Sequence, residues 1–290
     1  MSTLRQWYDS GQYFQFGEHR IFYQEAAPER RQALLLLHGF PTSSWDWHHI
    51  WAELSLHYHL IAPDFLGFGY SDKPRKHDYN IKEQADMVEA LMVAKGRQQY
   101  HLLAHDYGDT VAQEILARES EREEALHLQS LILLNGGLFP ETHRPRPIQR
   151  MLLGPLGPLI APLLSRRSLR SNFEKIFGPH TQPRPQEIDE WWSLINYNNG
   201  KAIFHKLIRY MTERVEQRER WVNALINPPI LVRLIVGERD PISGHHAADR
   251  YEDVVQKSAD VVRLLEIGHY PQTEAPKEVL SHCWSFWESL

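Results

Sequence analysis

The sequence of 290 residues contains a single cysteine, Cys283, and no long uninterrupted apolar run. One cysteine excludes an internal disulfide framework and a cysteine-based zinc site. The longest apolar stretch, Met151 to Leu164, is interrupted by glycines and prolines, so it cannot form a membrane-spanning helix. The first residues lack the apolar core that a signal peptide needs. We therefore expect a cytoplasmic protein without a membrane span.

The charge balance gives no reason to expect a nucleic-acid partner, because the formal net charge is −5. A composition of 42% hydrophobic and 24% charged residues is typical of a globular protein. The length fits one large domain, or one domain that carries a smaller insertion. The pairs His48-His49 and His245-His246 have no acidic neighbours at ligand spacing, so we predict no metal site.

Short apolar runs alternate with helical patterns in the first half of the chain. The segments Gln12 to Phe16 and Arg20 to Gln24 predict a hairpin. Later runs predict buried strands at Ala33 to Leu37, Tyr58 to Ala62, Tyr100 to Ala104 and Leu131 to Leu134. Helical patterns lie between them, at Ile81 to Val93 and from Val111 to Ala117. This alternation predicts a mostly parallel twisted sheet with helices on both faces.

The alternation stops between residues 138 and 227, where we predict no strand. It resumes with a strand at Ile230 to Val236, a helix near His246 to Gln256, a strand at Val261 to Ile267, and a helix from Pro276. We predict that residues 1–137 and 228–290 form one α/β core, and that residues 138–227 form an inserted, mainly helical cap. The charged run Glu119 to Glu124 is interpreted as a solvated helix end.

The segment Ala104-His-Asp-Tyr-Gly108 lies between a predicted strand and a predicted helix. A nucleophile elbow holds a reactive side chain on such a sharp turn, with small residues two positions before and after it. Ala104 and Gly108 meet that requirement, which leaves Asp106 at the apex. The alternative is that Asp106 only caps the N-terminus of the helix.

Two further candidates follow in the order that an elbow nucleophile requires, first an acid and then a histidine. Asp240 comes just after the strand predicted to end at Val236, and His269 follows the strand predicted to end at Ile267. Because parallel strands place their carboxyl ends at one edge of a sheet, we expect these side chains to lie together with Asp106. Because the chain has 17 histidines, a histidine alone is weak evidence. The prediction depends on the order of the three candidates and on the position of each one after a strand.

The loop His38-Gly-Phe-Pro41 follows the first buried strand, where an oxyanion hole takes one backbone N–H group. The second comes from the residue after the nucleophile. We therefore predict that the N–H groups of Phe40 and Tyr107 form this hole. The loop from Asp64 to Asp72 lacks the third glycine of a dinucleotide-binding loop and is interpreted as a structural turn.

Several of these segments resemble one family of hydrolases. The motifs HGFPTSSWDW, DFLGFGYSDKP, HDYGD and NGGLFPETHRP, together with Asp240 and His269-Tyr-Pro271, resemble α/β-hydrolases of the epoxide hydrolase and haloalkane dehalogenase group. Within that group they are especially similar to the mesoderm-specific transcript subfamily. The resemblance covers roughly residues 34 to 145 and returns at Asp240 and His269. It implies an α/β-hydrolase fold whose helical cap corresponds to the insertion.

An aspartate at the apex of the elbow limits the kinds of substrate that the site can attack. A free aspartate is anionic at neutral pH, whereas a serine must first lose a proton. Carboxylate attack on an ester would give a reactive anhydride, whereas attack on a saturated carbon gives a stable alkyl ester. His269 would then activate the water that hydrolyses this ester, while Asp240 holds the ring. Epoxides and alkyl halides are therefore the expected electrophiles, and esters and amides come last.

The two kinds of enzyme differ in the residues that bind the leaving group, and the resemblance allows those positions to be compared with this chain. Haloalkane dehalogenases typically have a tryptophan after the nucleophile and often an asparagine after the His-Gly pair, where this chain has Tyr107 and Phe40. Their alternative acid position holds Asn135, which cannot serve as a carboxylate. Epoxide hydrolases typically use cap tyrosines, and the cap has only Tyr197 and Tyr210. We predict epoxide hydrolysis to a diol, with Tyr210 the preferred donor, and haloalkane dehalogenation as the alternative.

The expected partners are a small hydrophobic substrate and water, with no cofactor. An apolar pocket between core and cap is the expected substrate site. A protein of another class stays open as an alternative, namely a non-catalytic small-molecule-binding or regulatory module built on a hydrolase fold. The presence of all three candidate catalytic residues favours an enzyme. The sequence leaves open whether the chain forms a homodimer.

Overall fold

The computed structural model describes residues 3–121 and 126–290. Their strands form a single eight-stranded sheet with the order β1-β2-β4-β3-β5-β6-β7-β8. The strands are β1 (Gln12–Phe16), β2 (His19–Ala26), β3 (Ala33–Leu37), β4 (His59–Pro63), β5 (Gln99–His105), β6 (His127–Leu134), β7 (Leu231–Gly237) and β8 (Asp260–Leu264).

The sheet is antiparallel at one edge and parallel elsewhere. Strands β1 and β2 form the predicted hairpin, and β2 pairs antiparallel with β4. All the remaining neighbours, from β4 through β8, pair in parallel. The predicted mostly parallel sheet is therefore confirmed.

The described residues form fourteen α-helices: α1 (Leu4–Ser10), α2 (Trp51–Ser55), α3 (Ile81–Ala94), α4 (Tyr107–Glu119), α5 (Pro147–Leu153), α6 (Gly157–Ile160), α7 (Arg166–Phe173), α8 (Pro185–Asn196), α9 (Phe204–Leu207), α10 (Tyr210–Glu216), α11 (Arg218–Ile226), α12 (His245–Val255), α13 (Pro271–Glu274) and α14 (Pro276–Trp287). Short 3₁₀ helices occur at Ser44–Trp47, Ala161–Leu163, Tyr197–Ile203 and Gln256–Ser258. None of the described helices is both long and apolar enough to cross a membrane.

Helices cover both faces of the sheet, which explains why the sequence of β3 is uniformly apolar. Ala33, Leu35 and Leu37 pack in the cluster that contains α3 and α4. Leu34 and Leu36 point to the other face and pack with α2 and α14. All five side chains are fully buried, as expected for a parallel strand with both faces covered.

Strand β8 is shorter than predicted, because it ends at Leu264 rather than at Ile267. The N–H group of Ile267 donates to the carbonyl oxygen of Leu264 across a turn, 3.3 Å away. Ile267 is nevertheless buried, whereas Leu265 is exposed, so the apolar run continues beyond the strand into a loop. Helix α4 ends at Glu119, and residues 122–124 of the predicted solvated helix end lie outside the described residues.

The insertion between β6 and β7 contains helices α5 to α11 and no strand, and every residue from 135 to 230 is described. A helical insertion is thus present where the alternation of the sequence stops. The division into a core of residues 1–137 and 228–290 and a cap of residues 138–227 stays a prediction.

Candidate active site

The turn between β5 and α4 holds Asp106 in a strained backbone conformation. Its φ is 47° and its ψ is −100°, which a residue with a side chain rarely adopts. A Cβ atom on Gly108 would lie 2.4 Å from the carbonyl oxygen of Leu37, so the turn needs glycine there. The N–H groups of Asp106 and Gly108 donate to the carbonyl oxygens of Leu134 and His38, at 3.1 and 3.0 Å. This is the geometry of an elbow.

The loop after β3 brings a backbone donor to the carboxylate of Asp106. The N–H group of Phe40 donates to Oδ2 of Asp106 over 3.1 Å. Gly39 permits this approach, since a Cβ there would lie 2.7 Å from Nδ1 of His105. Tyr107 is the first residue of α4, where an N–H group has no acceptor within the helix. Both predicted oxyanion-hole residues therefore flank Asp106.

Asp240 and His269 form a buried hydrogen-bonded pair, with Nδ1 of His269 2.7 Å from Oδ2 of Asp240. The same carboxylate accepts hydrogen bonds from the N–H groups of Ile242 and Ser243, from the hydroxyl of Ser243, and from the amide of Asn135. Burial raises the pKa of Asp240, but the His269 charge and these hydrogen bonds outweigh it and hold the pKa below its usual value.

The surroundings of the His269 ring favour its protonated form. Burial lowers the pKa of His269, yet the charges of Asp240 and Asp106 outweigh it and raise the pKa to about 9. The neighbouring His105 is neutral, because burial lowers its pKa to about 3. Its Nε2 lies 2.7 Å from the carbonyl oxygen of His269, so the neutral ring donates there and fixes the loop.

Asn135 supports this pair, a role that the sequence analysis missed. Its amide nitrogen donates to Oδ2 of Asp240 (3.0 Å) and to the carbonyl oxygen of Gly237 (3.1 Å). Its amide oxygen accepts from the N–H group of Gly237 at 2.8 Å. The residue has a φ of 45°, which asparagine tolerates better than most residues. Its position directly after a strand was the available signal.

Arg214 is a second residue that the sequence analysis missed. It lies on α10 of the insertion and is only 2% exposed. Its Nη2 donates to the backbone carbonyl oxygen of Asp106 (3.1 Å) and lies 3.8 Å from Oδ1 of the same residue. Its Nε donates to the hydroxyl of Thr110 over 2.7 Å. No motif marks this arginine, which is 108 residues from Asp106 along the chain.

Of the two predicted tyrosine donors, only Tyr210 lies next to this group. Its ring centre is 5.0 Å from that of Tyr107 and 6.1 Å from that of Phe40. The guanidinium of Arg214 stacks on the ring, 4.5 Å from its centre, and the buried hydroxyl has no hydrogen-bond partner among the described residues. Burial and the charge of Asp106 raise the pKa of Tyr210 far above its usual value, so the phenol stays neutral.

Tyr197 lies elsewhere. Helix α8 ends just before it, where the backbone leaves the helical conformation with a ψ of 129°. The ring packs against Tyr70, with 5.0 Å between ring centres, and beneath Nζ of Lys73. It borders a surface hollow with Leu4 and Tyr8. The structure therefore separates the two tyrosines that the sequence grouped.

A cavity of about 90 Å³ opens beside Asp106 and His269. The insertion lines it mainly with apolar side chains, namely Ile148, Leu152, Leu164, Leu169, Phe173, Ile176, Trp192, Ile195 and Phe204. Polar lining comes from Arg146, Gln149, Ser165, Ser168 and Asn172. Neither Tyr197 nor Tyr210 is among the lining residues. A small apolar molecule with few polar groups fits such walls.

The fold and the strained turn define a class of protein. A family model for the alpha/beta hydrolase fold matches residues 32–276, and the chain belongs to this family. The mesoderm-specific transcript homolog protein of Bos taurus is 42% identical over 99% of this chain and 89% of its own length. The resemblance predicted from the motifs is therefore confirmed.

Two other proteins extend this comparison. LipZ, a candidate hydrolase of Mycobacterium tuberculosis, is 37% identical over 95% of this chain and 94% of its own length. Among solved structures, the haloalkane dehalogenase DbeA of Bradyrhizobium elkani superimposes with a TM-score of 0.81. That likeness covers 96% of this chain and 97% of DbeA at 21% identity, and it shows the fold alone.

Proposed function

We propose that this chain is a hydrolase that acts through a covalent alkyl ester on Asp106, and that its substrates are epoxides. One observation carries the proposal: a carboxylate occupies the elbow, at the wall of an apolar cavity, where His269 also lies. A carboxylate that attacks a saturated carbon forms a stable ester, which suits an epoxide better than an ester substrate. The buried pair of His269 and Asp240 supplies the base for the hydrolysis of that ester.

The first step is the attack of an Asp106 carboxylate oxygen on one ring carbon of the epoxide. A carbon–oxygen bond forms to the carboxylate as the bond from that carbon to the ring oxygen breaks. The ring oxygen takes up a proton and becomes a hydroxyl group. We assign the donor to Tyr210, because its hydroxyl is neutral, has no partner among the described residues and belongs to a ring packed against Phe40.

The second step is hydrolysis of the ester by water. Alkylation makes Asp106 neutral and so removes one of the negative charges that raise the pKa of His269. The ring then passes its proton to the Tyr210 phenolate left by the first step, and the neutral ring becomes a base for water. Water attacks the ester carbonyl carbon, and the N–H groups of Phe40 and Tyr107 stabilise the oxyanion. The acyl carbon–oxygen bond then breaks, and the departing alkoxide takes the proton that the His269 ring accepted from water and leaves as the diol. The proton that remains on the Asp106 carboxyl group passes to the ring, which restores the carboxylate and the protonated ring.

A second candidate, haloalkane dehalogenation, is favoured by Trp192. This residue lines the cavity, and an indole N–H group is a donor of the kind that a departing halide needs. The two reactions share the alkyl ester on Asp106 and the hydrolysis step. They differ in the group that leaves and in the residue that receives it.

The experiment that tests the proposal is intact-protein mass spectrometry of His269→Gln after incubation with epoxides and, separately, with haloalkanes. Alkylation does not need the histidine, whereas hydrolysis does, so a true substrate accumulates as an adduct. An epoxide adds its whole mass, and a haloalkane adds its mass less that of the lost hydrogen halide. The matched control is Asp106→Asn with His269→Gln, which we expect to form no adduct.

An epoxide adduct on the peptide that contains Asp106 supports the first proposal, and a halide-type adduct supports the second. Ligand binding that survives Asp106→Ala, without turnover by the parent protein, supports a non-catalytic module. An adduct on another residue contradicts the assignment of Asp106.

A further inference from the structure

Exposed apolar side chains are concentrated in one part of the insertion. Among the described residues, twelve large hydrophobic side chains are exposed, and five of these lie between residues 151 and 163. These five are Met151, Leu153, Leu156, Leu159 and Leu163, and the last two are 70% and 79% exposed. Pro155, Pro158 and Pro162 between them are exposed as well. We call residues 151–163 the apolar segment, and exposed apolar side chains concentrated in this way mark an interaction surface.

The sequence on both sides of the apolar segment carries only positive charge. Residues 142–173 contain six arginines and no aspartate or glutamate, although the whole chain has a net charge of −5. Arg150 and Arg167 are exposed and form no ion pair with a described residue. Arg166 and Arg170 pair with acidic side chains. An apolar surface flanked by unpaired cations fits a partner that is apolar and anionic together.

The apolar segment lies directly over the candidate active site. Leu152 and Leu164, near its two ends, line the cavity beside Asp106. Their neighbours Leu153 and Leu163 are exposed. The segment and the residue after it therefore contribute side chains both to the wall of the cavity and to the outer surface.

We propose that the apolar segment and its flanking arginines dock the protein on the surface of an anionic lipid bilayer. Helices α5 and α6 and the 3₁₀ turn at Ala161–Leu163 are each far too short to cross a bilayer, but their exposed aliphatic side chains can enter its interface. Arginines beside them attract anionic headgroups. A second copy of this chain is a poorer occupant, because a two-fold contact would set the same cationic surface against itself.

The experiment is co-sedimentation of the full-length protein with vesicles of phosphatidylcholine alone and of phosphatidylcholine mixed with phosphatidylserine. We expect the wild-type protein to bind the mixed vesicles, with binding that weakens as salt is raised. The triple variant Leu156→Ser, Leu159→Ser, Leu163→Ser should lower the partition coefficient at least about a hundredfold. The double variant Arg150→Gln, Arg167→Gln should lower it about thirtyfold.

Matched controls change exposed residues elsewhere. The variants Leu56→Ser, Val93→Ser, Leu290→Ser and, separately, Arg31→Gln, Arg75→Gln should bind vesicles as the wild-type protein does. Failure of the wild-type protein to bind either vesicle overturns the proposal, as does equal binding by the triple variant. A dimer in sedimentation velocity that the triple variant loses, without vesicle binding, would instead identify an interface between copies. Because binding is measured without turnover, these outcomes are independent of the reaction on Asp106.

Discussion

Nδ1 of His269 lies 2.7 Å from Oδ2 of Asp240, and neither side chain is more than 3% exposed. Two further donors position the Asp240 carboxylate, because Asn135 and Ser243 both donate hydrogen bonds to the same oxygen. The charge of Asp106 adds to that of Asp240 in favouring the protonated ring. The proton on His269 is therefore coupled both to folding and to the state of the elbow residue.

We expect the contribution of His269 to the free energy of unfolding to fall as the pH rises from about 6.5 to about 9. The pKa of this ring rises from 6.5 to about 9 on folding, so the folded protein keeps a proton that the unfolded chain loses in this interval. The stabilisation is complete below pH 6.5 and is lost as the pH passes through 9. Urea denaturation across this range, compared between the wild-type protein and His269→Gln, measures it.

The control for this prediction is His57→Gln, which changes an exposed histidine. It should keep the pH dependence of the wild-type protein, whereas His269→Gln should show a shallower decline. Parallel curves for the wild-type protein and His269→Gln would mean that His269 is not the group responsible.

Asn135→Asp should destabilise the protein, and the effect should shrink as the pH falls. The substitution places a second carboxylate beside Asp240, and two adjacent buried carboxylates cannot both ionise without penalty. Protonation of one at low pH removes the repulsion and restores a donor. We expect a loss of more than about 2 kcal/mol at pH 7, measured by urea denaturation.

Asn198→Asp is the matched control, because Asn198 also has a positive φ, of 50°, but is exposed. Its effect should stay within about 0.5 kcal/mol. A loss for Asn135→Asp that is independent of pH would point to backbone strain rather than to charge.

Sequence patterns predicted the elements of the core because local signals specify them. The apolar run of β3, the hairpin before it, and the small residues around Asp106 each satisfy a requirement that acts within a few residues. Placement of Asp240 and His269 followed from a rule of topology, namely that parallel strands end at the same edge. These parts needed no knowledge of how the insertion folds.

Local patterns and the topology rule could not predict the contacts that the insertion makes with the core. Arg214 and Tyr210 share helix α10, yet no local pattern shows that this helix packs its buried face on the elbow. Tyr197 was kept as the less favoured donor, but α8 ends just before it and its ring packs on Tyr70. Asn135 was assessed only as a failed acid, because its role depends on a hydrogen bond to a residue more than a hundred positions later.

Arg214→Met should destabilise the protein by about 2–4 kcal/mol. The substitution removes donors to the carbonyl oxygen of Asp106 and to Thr110, and it removes the guanidinium that lies 3.8 Å from the buried Asp106 carboxylate. Arg209→Met is the matched control, because Arg209 is exposed and lies 3.8 Å from an almost fully exposed carboxylate. Its effect should stay below about 0.5 kcal/mol. Urea denaturation compares the two, and equal losses would contradict a special role for Arg214.

Tyr210→Phe should slow the opening of an epoxide ring at least about a hundredfold, the usual scale for the loss of a general acid. Its hydroxyl is buried without a partner among the described residues, so the free energy of unfolding should change by less than about 1 kcal/mol. Tyr197→Phe should leave the rate unchanged, because that ring packs on Tyr70 at a separate surface hollow, whereas the Tyr210 ring packs against the residues that flank Asp106. Single-turnover alkylation in the His269→Gln background, with an epoxide that forms an adduct, measures this step alone. An unchanged rate in Tyr210→Phe would remove the tyrosine from the mechanism while leaving the ester on Asp106 intact.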